Sequence, residues 1–260
     1  MSEWTSLETP TGRIRAWRAD PHTPPRGALV VVQEIFGVNA HIRDVCKTFA
    51  DHGYVTMAPA FFDHFEHGVE LEYDADGVKR GKDLVDRLGM ERALEDIKAA
   101  ANVVQEAGKV GVVGYCWGGS VAFLANTRLS MPAVSYYGAR TTPYLDEQLD
   151  APMMFHFGNH DPSIPAEAID LHRSKQPTAE IHVYPAGHGF NCDRRADFHA
   201  ASAARQSGGR QPGRAVHAHQ SGWANGARHG FCRALAPDLF RLWLLPRCLP
   251  LGQSTQRRGR

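Results

Sequence analysis

Short apolar runs alternate along the first two hundred residues with longer stretches whose apolar positions recur every three or four residues. The segment Gly27-Ala28-Leu29-Val30-Val31-Val32-Gln33 is a short, nearly unbroken apolar run, the pattern of a strand buried on both faces. Ala40 to His52 reads as a helix, with Ile42, Val45 and Phe49 on one stripe and Gly53 as its stop. Tyr54 to Ala58 is the next strand, closed by Pro59. Residues 63–87 are strongly charged and carry Gly68, Gly77 and Gly81, which predicts mostly loop with some helix. Met90 to Ala107 has the clearest helical period, with Leu94, Ile97, Ala101 and Val104 in register and Gly108 at its end. Lys109 to Gly114, Ala133 to Tyr137, Met153 to Phe157 and Ile181 to Tyr184 read as strands. Trp117 to Arg128 reads as a helix, and another helix begins near Pro165. Repeated strand–helix alternation predicts a mainly parallel sheet with helices on both faces.

From about Ala204 the periodicity stops. The net charge of +1 over 260 residues conceals a split. Residues 1–197 carry 19 Lys and Arg against 27 Asp and Glu, whereas residues 198–260 carry ten Arg, no Lys and one acid, Asp238. The chain therefore reads as one α/β domain over 1–203 and an atypical basic tail over 204–260, either disordered or translated out of an ancestral frame. Ten arginines without an organised face do not make a nucleic-acid surface. No apolar run approaches the roughly 18 residues of a membrane span, and the polar N-terminus lacks the regions of a signal peptide. Five scattered cysteines do not read as a disulfide framework, which places the protein in a reducing cytoplasm.

Candidate chemistry sits where strands end. Gly114-Tyr115-Cys116-Trp117-Gly118 follows a predicted strand and opens a predicted helix, the G-x-S-x-G nucleophile elbow with cysteine in place of serine. A sharp turn there exposes the sulfur, the helix N-terminus favours its anion, and the amide of Trp117 points into the same space. The bland alternative is a structural cysteine in a tight turn. A thiol needs a base and the base an orienting group. Asp161 follows the 153–157 strand in Gly158-Asn159-His160-Asp161-Pro162, and His188 follows the 181–184 strand between Gly187 and Gly189. The order nucleophile, acid, histidine is that of α/β-hydrolases; Asp161 also reads as a turn-capping residue. The first strand runs into Gln33-Glu34-Ile35-Phe36-Gly37-Val38-Asn39, where such a fold takes its second oxyanion-hole amide. Glu34 is either an exposed strand-end acid or a buried functional carboxylate.

These segments, together with Gly111-Val112-Val113 before the elbow, Gly119 after it, Tyr136-Tyr137-Gly138 and Ala186-Gly187-His188-Gly189-Phe190, resemble the dienelactone hydrolase (carboxymethylenebutenolidase) family over about residues 10–200. The resemblance implies an α/β-hydrolase fold, a Cys116–His188–Asp161 triad, and an oxyanion hole of the Ile35 and Trp117 amides. It further implies that Glu34 contacts the resting thiol and moves away when substrate arrives, and that Phe36 and Arg80 contact substrate. Members of the family hold the substrate carboxylate with two arginines. One has Arg80 as its counterpart; the other falls four residues after the histidine, where this chain has Cys192, with Arg194 and Arg195 slightly later. A family member also ends in a helix packed on the sheet, of which only Ala196 to Ala204 resembles the start.

The function expected is cysteine-dependent opening of a small lactone or ester through a thioester, with no metal and no cofactor, in a monomer or weak homo-oligomer. Two alternatives stand beside it: a general carboxylesterase with the same apparatus, and a non-catalytic binding protein on the same fold. His156 and His160 are four apart, but Gly158 spoils a metal-binding helix between them.

Overall fold

The computed structural model describes residues 1–196 and 198–205; the greater part of the tail set apart in the sequence, 206–260, lies outside them. Strands β1 (Ser2–Thr9), β2 (Gly12–Ala19), β3 (Ala28–Val32), β4 (Val55–Pro59), β5 (Val110–Tyr115), β6 (Ala133–Tyr136), β7 (Met153–Gly158) and β8 (Glu180–Tyr184) form one sheet in the order β1-β2-β4-β3-β5-β6-β7-β8. The run from β4 to β8 is parallel, and β1 and β2 add an antiparallel hairpin at one edge. Helices α1 (Ala40–Asp51), α2 (Ala75–Val104), α3 (Trp117–Leu129) and α4 (Ala166–Lys175) connect the parallel strands, and a short α5 (Ala200–Arg205) follows β8. This is the α/β-hydrolase architecture. Every residue of β3 is buried, as its unbroken apolar run requires of a central parallel strand.

Two elements depart from the expectations above. The β1–β2 hairpin has no strong sequence signal because only Leu7, Ile14, Ala16 and Ala19 of it are buried. Its register is fixed instead by cross-strand contact, Trp4 lying edge-on to Trp17 at 5.4 Å with Arg15 over the Trp4 ring. The larger correction concerns residues 63–87. Helix α2 starts at Ala75, capped by Asp74 accepting from the Gly77 amide at 2.7 Å, and bends at Gly89 into the stretch predicted from Met90. Gly77 and Gly81 read as loop residues but lie inside this helix. A Cβ at Gly81 would stand 2.2 Å from the Ile35 carbonyl oxygen. Glycine is there so that α2 can press against the loop after β3, which local propensity does not record.

Candidate active site

Three strand ends converge on Cys116. The nucleophile position has φ 55° and ψ −118°, a strained backbone for a residue with a side chain. The turn closes because two glycines let backbones touch. A Cβ at Gly114 would lie 1.9 Å from the Gly118 carbonyl oxygen, and one at Gly118 would lie 2.4 Å from that of Gln33. The elbow is thereby pressed against the end of β3, and Cys116 is left partly exposed at the first turn of α3. The amides of that turn have no intrahelical acceptor, and Trp117 lines a cavity together with Ile35 and Cys116.

His188, 72 residues beyond Cys116, places Nε2 3.1 Å from the sulfur. Its Nδ1 lies 2.6 Å from Asp161 Oδ2. The other oxygen of Asp161 accepts from the Ser163 amide at 2.8 Å, so Asp161 caps its own turn while orienting the imidazole. Asp161 is buried, and Tyr137 packs edge-on to the imidazole ring at 5.2 Å. Burial works against charge on His188, but the Cys116 sulfur and the Asp161 carboxylate outweigh it and push the imidazole up to about 10. The arrangement sets the imidazole within reach of the thiol proton.

Glu34 is buried to 1% exposure rather than standing at an exposed strand end. Burial pushes its carboxyl up, opposed by Arg195, His188 and Tyr73. Its ion-pair partner is Arg195, Nη1 to Oε1 at 3.4 Å, whereas the thiol's hydrogen-bond partner is His188. The contact between Glu34 and a resting thiol implied by the resemblance is therefore replaced here by one in which the sulfur is already with the imidazole.

The cavity beside Cys116 measures about 540 Å³. Phe36 lines it, as the resemblance implied, but Arg80 does not. Val78 and Lys82, four residues apart on α2, face the cavity; Arg80, between them, turns outward and pairs with Glu66 on the exposed surface. Cys192 is also no substitute for a cation: it is buried against the Tyr73 hydroxyl at 3.4 Å, and burial pushes its thiol up to about 12. Three residues on, after the turn that its own carbonyl closes with the Arg195 amide, Arg195 brings a guanidinium into the cavity. Lys82 and Arg140, which the sequence did not single out, line the same space. Arg194 points away to Asp44. His156, in β7, bonds the Tyr184 hydroxyl, and among the described residues no cluster of His, Cys, Asp or Glu could hold a metal ion. No described helix is long and apolar enough to cross a membrane.

The exposed Arg80–Glu66 pair contributes less than about 1 kcal/mol. Arg80→Ala is therefore expected to leave kcat/KM within about twofold. Arg195→Ala should raise KM for an anionic lactone by more than about tenfold. Steady-state kinetics of the two variants checks both expectations; equal effects would return Arg80 to the site.

Residues 14–209 match the model of the dienelactone hydrolase family. A Yersinia pestis protein assigned as a carboxymethylenebutenolidase is 36% identical over 207 residues, covering 72% of this chain and 76% of its own. The carboxymethylenebutenolidase of Pseudomonas putida is 30% identical over 217 residues, covering 78% of this chain and 92% of its own. The solved structure of a Klebsiella pneumoniae protein assigned as a dienelactone hydrolase superposes with a TM-score of 0.67 at 30% identity, covering 78% of this chain and 93% of that one.

Proposed function

The chain belongs to the dienelactone hydrolase family and is a hydrolase of esters or lactones, and from that premise we propose that it opens a small lactone or ester by way of a thioester on Cys116. The observation that carries this reading is the position of His188, bonded on one side to Asp161 at 2.6 Å and on the other to Cys116 at 3.1 Å. The imidazole, pushed up to about 10, is basic enough to draw the thiol proton away as the sulfur attacks. The sulfur attacks the carbonyl carbon, and the amides of Ile35 and Trp117 hold the developing oxyanion. Collapse breaks the carbon–oxygen bond of the ester, and His188 gives its proton to the departing oxygen. Neutral His188 then takes a proton from water, whose oxygen adds to the thioester carbon. Collapse of this second adduct expels the sulfur, which takes a proton back from His188, and releases the acid product, which ionises in water. A thiolate suits an enol lactone, whose leaving group is already good. Neither a metal nor a cofactor enters any step.

Arg195, with Lys82 and Arg140 on the same cavity, favours a substrate bearing a carboxylate. An entering carboxylate competes with Glu34 for the Arg195 guanidinium. Initial rates on dienelactone and on phenyl acetate test the reading. Dienelactone is expected to have a kcat/KM more than about tenfold higher, because only it can pair with a cation. The reverse preference would make the protein a general carboxylesterase, and a folded protein that turns over neither would refute the chemistry.

A further inference from the structure

A second cavity, of about 620 Å³, lies beside the first. The two share Trp117, Ala139 and Arg140 as common wall. On the opposite side one stripe of α2 serves both. Val78 and Lys82 line the reactive cavity, and Val85, Asp86 and Gly89 line the second. Those positions fall at i, i+4, i+7, i+8 and i+11, which is one helix face. The two cavities are therefore neighbours along one face of α2, from the Cys116 side to the bend in that helix.

Gly89, at the bend itself, lines the far end. Gly89 takes φ 74° and ψ 167° inside α2, a conformation that residues with a Cβ rarely adopt. No close-packed neighbour accounts for glycine here, since a Cβ at Gly89 would meet nothing within 4 Å. Beyond the waist the walls are Val85, Met90, Pro143 and Tyr144. The waist carries charge: Arg140 pairs with Asp86 across it, and the Arg140 amide is fixed by donation to the buried Ser120 hydroxyl at 2.9 Å.

We propose that this second cavity is a subsite of the reactive centre that receives an apolar arm of the substrate, an aryl ring or alkyl chain, passing Arg140 on its way. The assignment rests on the thioester chemistry above and extends it from a bare lactone to esters with a reach beyond Trp117. Each cavity alone lies within the range of about 300–1,000 Å³ that holds a whole small ligand. The reactive cavity therefore does not need the second one to seat a five-membered ring. Its mixed lining, apolar walls with a few placed charges, is that of a small-molecule site rather than of a protein interface.

The arm belongs either to the alcohol side or to the acyl side of the ester, and a three-ester comparison separates them. Phenyl acetate is the short reference, 2-naphthyl acetate extends the alcohol side, and phenyl hexanoate extends the acyl side. Thr142→Trp and Met90→Trp each put bulk into the second cavity, and Thr142 is exposed, so that variant keeps its fold. Both variants are expected to lose about tenfold or more in kcat/KM on one extended ester, with phenyl acetate unchanged; the ester affected names the side. Equal change in all three esters, or none in any, overturns the subsite. Calorimetric binding of 2-naphthyl acetate and of phenyl hexanoate to Cys116→Ala, with and without Thr142→Trp, reads the second cavity without turnover. Binding of either ester weakened about tenfold by Thr142→Trp supports the subsite even if the thioester chemistry fails, and unaltered binding of both refutes it even if that chemistry holds.

Discussion

Replacing Cys116 by alanine is expected to lower kcat/KM for any ester or lactone by about 10⁴-fold or more, with the fold intact. Alanine keeps the Cβ that the elbow already accommodates at φ 55°, so only the sulfur is lost. The same substitution carries a second, independent signature. His188 is held up to about 10 against its burial by the sulfur and by Asp161. Without the sulfur, the ring should titrate at lower pH, followed by NMR of the imidazole. The stability consequence has a definite sign. A histidine whose folded value exceeds the ordinary 6.5 contributes stability in full below that pH, and the contribution is lost as pH rises through about 10. Cys116→Ala should therefore narrow the difference between unfolding midpoints at pH 6 and pH 10. Hydrolysis surviving in this variant would remove Cys116 from the mechanism.

Gly118→Ala is expected to cost about 3 kcal/mol or more in urea unfolding. The added Cβ would stand 2.4 Å from the Gln33 carbonyl oxygen and 2.5 Å from that of Val32, both backbone atoms of another element. Neither can rotate away as a side chain would. Relief requires α3 to withdraw from the end of β3, which moves the Trp117 amide relative to that of Ile35. Activity should therefore fall in whatever fraction remains folded. A variant with a wild-type midpoint and wild-type turnover would show that the elbow is looser than these distances allow.

The same contact explains what could be read in advance. Gly114 and Gly118 are legible because a strand, a sharp turn and a helix N-terminus together demand small residues at fixed spacing. Gly77 and Gly81 misled because the same residue type, placed in a helix for contact with Glu72 and Ile35 carbonyl oxygens, looks locally like a breaker. The family resemblance points Arg80 toward substrate, whereas the helical phase set by Val78 and Lys82 turns it to solvent. Lys82 and Arg140 carried no signal beyond charge, although the three- and four-residue spacing of Val78, Lys82 and Val85 would have marked one face.

The sequence by itself determined the strands from β3 to β8, the helices between most of them, and the order of Cys116, Asp161 and His188 along the chain. Those features depend on apolar period, on turn residues and on the dihedral demands of a few glycines, all of which act over a handful of neighbouring positions. Only the tertiary structure decided that His188 reaches both Asp161 and Cys116, that Arg195 rather than Cys192 or Arg80 supplies the cation beside Glu34, and that a second cavity opens past Arg140. Those outcomes depend on which way a helix is rotated and how closely two backbones approach. Both are set by packing between residues far apart in the chain, where no local pattern records the result.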